Sequence, residues 1–233
     1  MKEEIYDRVM ESLQKVRMGN VAKDLDRLLS EATRTKTSYL GFLDQVLRQE
    51  LESKGRKRIA MGIQIAHFPA VKTLEEFDFK FQPSVDARLI TELATGRYIA
   101  QAENVLLLGP PGVGKTHLSI ALGRAAVAAG HSVLFTSATE LLGSLCRAEL
   151  EGHLGERLLY YAKPKLLIID ELGYLPLEKR SAPLFFQLVA RRYEKSSLLI
   201  TTNQAATQWG HVFGDEVLAA AILDTLHPPT AWG

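Results

Sequence analysis

Cysteine is nearly absent. Cys146 is the single one in 233 residues, so no internal disulfide can form, which suits a reducing compartment and excludes a disulfide-built scaffold. Long apolar runs are missing as well, since no uninterrupted stretch reaches the roughly 18–20 residues that span a bilayer. The opening segment MKEEIYDRVMESLQKV carries mixed charge without the apolar core of a signal peptide. A cytoplasmic location with no membrane partner is therefore expected. No charge sign dominates, because 28 Lys and Arg stand against 27 Asp and Glu. That balance argues against coating nucleic acid by bulk electrostatics, but it leaves room for a local basic patch. Cations are missing altogether after Lys195, although Asp215, Glu216 and Asp224 follow. What is present is apolar content: at 46% hydrophobic the chain can bury a sizeable core, which excludes a disordered or collagen-like class.

The length allows one large domain, or a domain with an appendage, at roughly 150 residues per domain. Residues 1–66 are expected to form an N-terminal helical domain. Ile5, Val9, Leu13 and Val16 recur at helical spacing, and Leu40, Leu43, Val46, Leu47 and Leu51 repeat the pattern. Such stripes are read as helix packing. The first 58 residues hold 13 Lys and Arg and end in the cluster Lys54, Arg56, Lys57 and Arg58. Residues 67–83 (HFPAVKTLEEFDFKFQP) break the pattern with two prolines and alternating Phe, as expected of a connector packed across the next domain. From residue 84 to 233 the rhythm becomes strand–helix alternation. Residues 104–108 (NVLLL), 132–136, 166–169 and 198–202 read as buried strands. Residues 115–129, 138–147, 154–162 and 182–194 read as helices. The fold class is α/β, a mostly parallel sheet with helices on both faces.

Gly109, Pro110, Pro111, Gly112, Val113, Gly114, Lys115 and Thr116 fit the phosphate-loop pattern G-x-x-x-x-G-K-[ST], after a strand and opening a helix. Glycines there let backbone N–H groups wrap phosphates at a helix N-terminus. Lys115 is expected to reach the β- and γ-phosphates of ATP, Thr116 to ligate Mg²⁺, and His117 to add a further nucleotide contact. Asp170 and Glu171 end a buried strand 55 residues after Lys115. Asp170 suits the Mg²⁺ shell, and Glu171 suits polarising an attacking water. Asn203 ends a further strand and fits either a γ-phosphate-sensing amide or a turn former.

The segments GPPGVGKTHLSIALG, LLIIDELGYLPL, FFQLVARRYE and WGHVFGDEVLAAAILD together resemble the IstB family, across about residues 1–224. These are AAA+ P-loop ATPases encoded by insertion sequences as transposition helpers, similar to the helicase loader DnaC. The resemblance implies ATP binding and hydrolysis with Mg²⁺, homo-oligomers on duplex DNA, and delivery of that DNA to a partner transposase. It makes Lys115, Glu171 and Asn203 the catalytic set, with Asn203 as the first sensor. Arg191 and Arg192 match an Arg pair in the family, either at a subunit interface or at a solvated helix end. Arg147 and Arg157 fall where related initiator and loader ATPases carry a DNA-facing element. Lys54, Arg56, Lys57 and Arg58 are further candidates for sequence-independent phosphate contacts.

One departure bears on activity. After AILD the family continues with Arg-Leu, and this chain has Thr225-Leu226. The resemblance makes that Arg the finger for a neighbour's nucleotide, a group that contributes roughly 10³–10⁵ in rate. A last strand and a C-terminal lid with a second sensor arginine are also expected to be missing, leaving the NVLLL strand with an unpaired edge. The expected function is an ATPase helper of transposition that regulates its transposase. The alternative is a hydrolysis-deficient, nucleotide-gated DNA-binding or adaptor protein, followed by a helicase-loader-type replication protein. A small-molecule kinase is disfavoured by Asp170, Glu171 and Asn203, which suit water attack.

Overall fold

The computed structural model describes residues 2–174 and 180–226. Two compact units meet between Met61 and Gly62. The first is helical, with α1 (Lys2–Lys15), α2 (Gly19–Thr35) and most of α3 (Tyr39–Ile65). Its core is small: Val21, Leu28 and Val46 are buried, with Leu13, Met18 and Phe42 packed against them. The residue before α2, Met18, offers no side-chain cap. The buried Glu50 of α3 supplies the acceptor instead, taking the Val21 N–H at 3.1 Å. The expected packing stripe on α3 is only partly used, since Leu40, Leu43, Leu47 and Leu51 are exposed. One small core covers one face of the helix.

The division at Met61 falls earlier than the boundary expected at residue 66. The reason is packing rather than helix termination. A Cβ on Gly62 would stand 2.7 Å from Val127 Cγ1, and the carbonyl of the fully buried Ala66 accepts the Phe135 N–H at 2.8 Å. The last turn of α3 therefore belongs to the second unit.

That unit contains α4 (Ala87–Ala94), α5 (Arg97–Ala100), β1 (Val105–Leu108), α6 (Lys115–Ala128), β2 (Val133–Ser137), α7 (Ala138–Leu150), α8 (Leu154–Ala162), β3 (Leu166–Leu172), α9 (Ser181–Arg192), β4 (Ser197–Thr202), α10 (Trp209–Phe213) and α11 (Glu216–Leu226). The four strands form one parallel sheet in the order β1-β4-β3-β2. Among the described residues β1 pairs with β4 and stands at one end of the sheet order. Residues 227–233 lie outside the described set, and with them Pro228 and Pro229.

Period-two alternation explains how a continuous apolar run serves two faces. In β3, Leu167 and Ile169 join the cluster that includes Leu141, Leu145, Phe185 and Leu188. Ile168 points the other way, its Cδ1 lying 2.6 Å from where a Cβ on Gly123 of α6 would be. Only glycine lets α6 lie that close to the sheet. Trp209 and Phe213 are also core residues; Phe213 stacks on Phe185 with centroids 5.5 Å apart. These residues, which carry much of the family resemblance, hold α10 and α11 against α9.

Candidate nucleotide-binding site

All four strands run the same way, so their C-terminal ends collect at one pole, and the chemistry-bearing residues collect with them. The phosphate loop joins β1 to α6. Gly112 and Gly114 adopt φ of 84° and 90°, left-handed values that favour glycine. A Cβ on Gly114 would also stand 2.6 Å from Phe77 Cε2, so the connector presses directly on the loop. The Gly109 N–H is anchored to the Thr202 carbonyl of β4 at 3.2 Å.

Lys115 is buried, and its Nζ donates to the carbonyls of Gly109 and Pro110 at 2.7 and 2.8 Å. Burial pulls its pKa below the ordinary lysine value, while the Asp170 and Glu171 carboxylates oppose that shift. The Tyr174 ring lies 6.0 Å from the ammonium, and its hydroxyl is pushed up by burial and then by the same two carboxylates. Leu175 and Pro176, quoted with Tyr174 for the resemblance, lie outside the described residues.

The two motif strands meet through hydrogen bonds. The Thr116 hydroxyl lies 2.9 and 3.1 Å from the two Asp170 carboxylate oxygens. Asp170 is buried and accepts a second hydroxyl, Thr201 Oγ1 of β4, at 2.5 Å on Oδ1. Thr201 Oγ1 in turn accepts the Glu171 N–H at 2.9 Å. Here the β3–β4 register shifts between Ile169 and Leu172, and Glu171 takes a φ of 62°. This local irregularity turns the Glu171 side chain out of the sheet, where it is exposed, while Asp170 stays in. Thr201 carries no sequence signal of its contacts with Asp170 and Glu171. It reads as an ordinary strand threonine, and only the placement of β4 between β1 and β3 brings it to Asp170.

Asn203 follows β4 at the same pole, and its Oδ1 is buried with no hydrogen-bond partner. That orphan acceptor is not used by a turn. His117 turns its side chain to the connector. Its Nε2 lies 2.8 Å from the Thr73 carbonyl and its ring packs edge-on to Phe77 with centroids 5.4 Å apart. The side chain is thus engaged by the connector, leaving its backbone N–H in the first turn of α6. Beside the loop, an apolar cleft is lined by Val85, Ile90, Leu107, Val113 and Leu118.

Hard oxygen donors suit Mg²⁺, which keeps several waters and takes one or two protein ligands. Thr116 Oγ1 and Asp170, already in contact, are the oxygen donors here that could supply such a pair. Among the described residues no cluster of three His, Cys, Asp or Glu offers another metal site.

The remaining candidates separate. Arg147 of α7 and Arg157 of α8 are brought together around one polar depression with His153, Glu140 and Glu151. Arg157 also stands 5.5 Å from the Tyr160 ring. Lys54, Arg56, Lys57 and Arg58 sit in the first unit, within α3 rather than at a helix end. There Lys54 pairs with Glu50 at 3.7 Å and Arg56 with Glu52 at 3.8 Å, while Lys57 and Arg58 are exposed. The Arg pair splits: Arg191 is exposed, whereas Arg192 is 1% exposed and donates to the Tyr161 and Ser197 carbonyls at 2.8 and 2.6 Å. Burial lowers the pKa of Arg192. Neither expected role, interface or solvated end, fits Arg192. Thr225 turns its hydroxyl back onto the Ala221 carbonyl of its own helix at 2.7 Å.

No helix among the described residues is long and apolar enough to cross a membrane. The sequence profile of the family described as IstB-like ATP binding protein matches residues 11–229. The chain is 44% identical over 214 residues to the ATP-binding protein of insertion sequence IS21 from Pseudomonas aeruginosa, covering 92% of this chain and 81% of that protein. Against the ATP-binding protein of insertion sequence IS5376 from Geobacillus stearothermophilus it is 41% identical over 220 residues, covering 94% and 88%. Among solved structures, AMPPCP-bound DnaA from Aquifex aeolicus matches with a TM-score of 0.58 at 21% identity, over 67% of this chain and 48% of DnaA. DnaI matches with a TM-score of 0.56 at 23% identity, over 67% and 86%. At these identities the likeness shows a shared fold and nothing finer.

Proposed function

Because the chain belongs to the IstB-like ATP binding protein family, we propose that it is an ATP-hydrolysing helper of DNA transposition, assembling as a homo-oligomer on duplex DNA in the cytoplasm and regulating a partner transposase. The observation that carries the reading is the chain of hydrogen bonds from Thr116 through Asp170 and Thr201 to the Glu171 backbone. It ties a phosphate loop to one buried and one exposed carboxylate, the division of labour that hydrolysis requires.

In this reading the apolar cleft at Val85, Ile90 and Val113 receives the purine base, and the N–H groups of residues 112–117 receive the phosphates. Lys115 exchanges its two carbonyl partners for β- and γ-phosphate oxygens. Thr116 and Asp170 would hold Mg²⁺, which would supply neutralisation of the developing phosphate charge. Thr201 fixes the Asp170 carboxylate from behind. Glu171, displaced from the sheet at the irregularity, takes a proton from the attacking water. Asn203 offers its unpartnered amide oxygen to that water. Arg147 and Arg157 contact DNA phosphates, as do Lys57 and Arg58, with little dependence on base sequence.

A second reading, a nucleotide-gated adaptor without efficient hydrolysis, is favoured by Thr225. A hydroxyl bonded to its own helix stands where the family resemblance expects a finger arginine. ATP turnover with and without duplex DNA, measured beside an ATP-binding titration, separates the two. DNA-stimulated turnover supports the helper ATPase, binding without turnover supports the adaptor, and absence of ATP binding removes both.

A further inference from the structure

We propose that the pole of the sheet opposite the nucleotide loop carries a second phosphate-binding surface, built by Lys163, Lys165, Arg191 and Lys195 and fitted to the backbone of duplex DNA. This deepens the reading above and rests on it, since it supposes that the protein works on DNA.

The parallel sheet creates the site. Lys163 follows α8, Lys165 immediately precedes β3, Arg191 lies in the last turn of α9, and Lys195 lies in the turn into β4. Because β3 and β4 run in parallel, their starting ends collect at one pole. There the four cations line one open depression, together with Leu159, Ala162 and Ser196 and with no acidic residue. The length of β3 separates this surface from Asp170 and Glu171 by roughly 15–20 Å at about 3.3 Å per residue. It is therefore separate from the nucleotide site.

Three features distinguish it from an ordinary solvated surface. First, the four cations are exposed, and among the described residues none forms an ion pair. Elsewhere Lys15, Arg27, Arg48, Lys54, Arg56 and Arg180 each have a carboxylate within 4 Å or less. In a chain of net charge +1, four unpaired cations around one depression are a concentration of positive potential. Second, the platform is rigid. The buried Arg192 bonds the Tyr161 and Ser197 carbonyls, tying the ends of α8 and α9 to the start of β4. Its neighbours Arg191 and Lys195 are thereby presented from a fixed base. Third, Ser196 lines the depression and its buried hydroxyl has no hydrogen-bond partner, so the polar floor is not fully satisfied within the protein.

The lining favours a phosphate backbone over an acidic protein partner. Protein interfaces centre on buried aromatic anchors, and here the apolar lining is only Leu159 and Ala162. Phosphodiester recognition needs cations without such anchors.

The test uses the full chain with all four residues changed, Lys163→Gln, Lys165→Gln, Arg191→Gln and Lys195→Gln, and reads duplex-DNA affinity by fluorescence anisotropy across a salt series. Each phosphate that is no longer neutralised should lower the slope of log K against log salt by about 0.9, so the variant should lose roughly 2–4 from the slope. Affinity at low salt should fall at least about tenfold, while ATP affinity stays unchanged. Arg191→Gln alone should lower the slope by about 1, which keeps the test available should the fourfold variant fold poorly. If the wild type binds no duplex DNA, both this surface and the DNA part of the proposed function fall. If the wild type binds but the variant and Arg191→Gln keep its affinity and slope, this surface alone falls, and an acidic protein becomes its occupant.

Discussion

Thr201→Val removes one oxygen from the centre of the site and leaves the side-chain shape nearly unchanged. Thr201 is 1% exposed, so the added methyl meets protein rather than water. Two hydrogen bonds disappear, one donated to Asp170 Oδ1 at 2.5 Å and one accepted from the Glu171 N–H at 2.9 Å. Hydrogen bonds to charged groups contribute about 1.5–3 kcal/mol, and a buried donor left without a partner costs about 1–3 kcal/mol. Asp170 keeps the Thr116 hydroxyl, and water reaches the exposed Glu171, so a net loss of about 1–3 kcal/mol is expected. For a chain of this size that is a fall in Tm of roughly 2–12 °C. The functional effect has a different origin. A non-glycine φ of 62° at Glu171 costs about 1–2 kcal/mol and is held partly by the Thr201 acceptor. Without it Glu171 relaxes toward the sheet, and misplacing a reacting group by about 1 Å costs on the order of 100-fold. Turnover should fall about tenfold to 100-fold, and the Mg²⁺-dependent part of ATP affinity should weaken. ATP affinity without Mg²⁺ should hold, since the loop from Gly109 to Lys115 is untouched. Thr201→Ser should restore both readouts. A valine variant with wild-type Tm, Mg²⁺ dependence and turnover would refute the bridging role.

Other perturbations probe the remaining joints. Lys115→Ala should abolish ATP binding in a titration; unchanged affinity would remove the phosphate-loop assignment. Gly114→Ala adds a Cβ 2.6 Å from Phe77 at a φ of 90°, so ATP affinity should drop about 5- to 30-fold through a strain of about 1–2 kcal/mol. Adding Phe77→Ala should recover part of the Tm deficit but not the affinity, and full recovery would show that backbone strain is unimportant. Phosphate favours the charged form of Lys115, whose pKa burial holds below the ordinary value. ATP affinity should therefore fall as pH rises through that lowered pKa, with proton uptake on binding. Lys115→Arg should flatten the calorimetric pH profile, and an identical profile would assign the dependence elsewhere. Arg192→Ala leaves the Tyr161 and Ser197 carbonyls without a donor and should cost about 2–4 kcal/mol of unfolding free energy in denaturant titration. Arg191→Ala should change it by under about 0.5 kcal/mol, and equal effects would contradict the split of the pair.

What was legible in the sequence was chemistry that is contiguous along the chain. The residues from Gly109 to Thr116 lie together because they are covalent neighbours, and a loop that needs left-handed φ leaves a readable pattern of glycines. Asp170 and Glu171 were legible because a buried strand ending in carboxylates is conspicuous. What remained hidden depends on pairings between distant segments. Thr201 acts because β4 lies between β1 and β3 and because β3 loses register beside Glu171; neither leaves a trace in SLLITT, where threonine is an ordinary strand residue. His117 follows the loop in sequence, yet Thr73 and Phe77 claim its side chain from the connector. The boundary at Met61 was hidden for the same reason, since α3 runs unbroken to Ile65 and only its packing divides it.

The adjacent arginines carry this reasoning furthest. In sequence Arg191 and Arg192 are indistinguishable, two cations at a helix end, and both expected roles assumed that they act alike. A helix turns about 100° per residue, so adjacent side chains cannot share an environment when one face of α9 is buried. Arg192 points inward, and its two terminal nitrogens donate to carbonyls of α8 and β4, joining three elements. Arg191 points outward into the basic depression. The buried arginine ties down the backbone from which the exposed one projects. The pair is therefore better understood as support and contact than as two copies of one function.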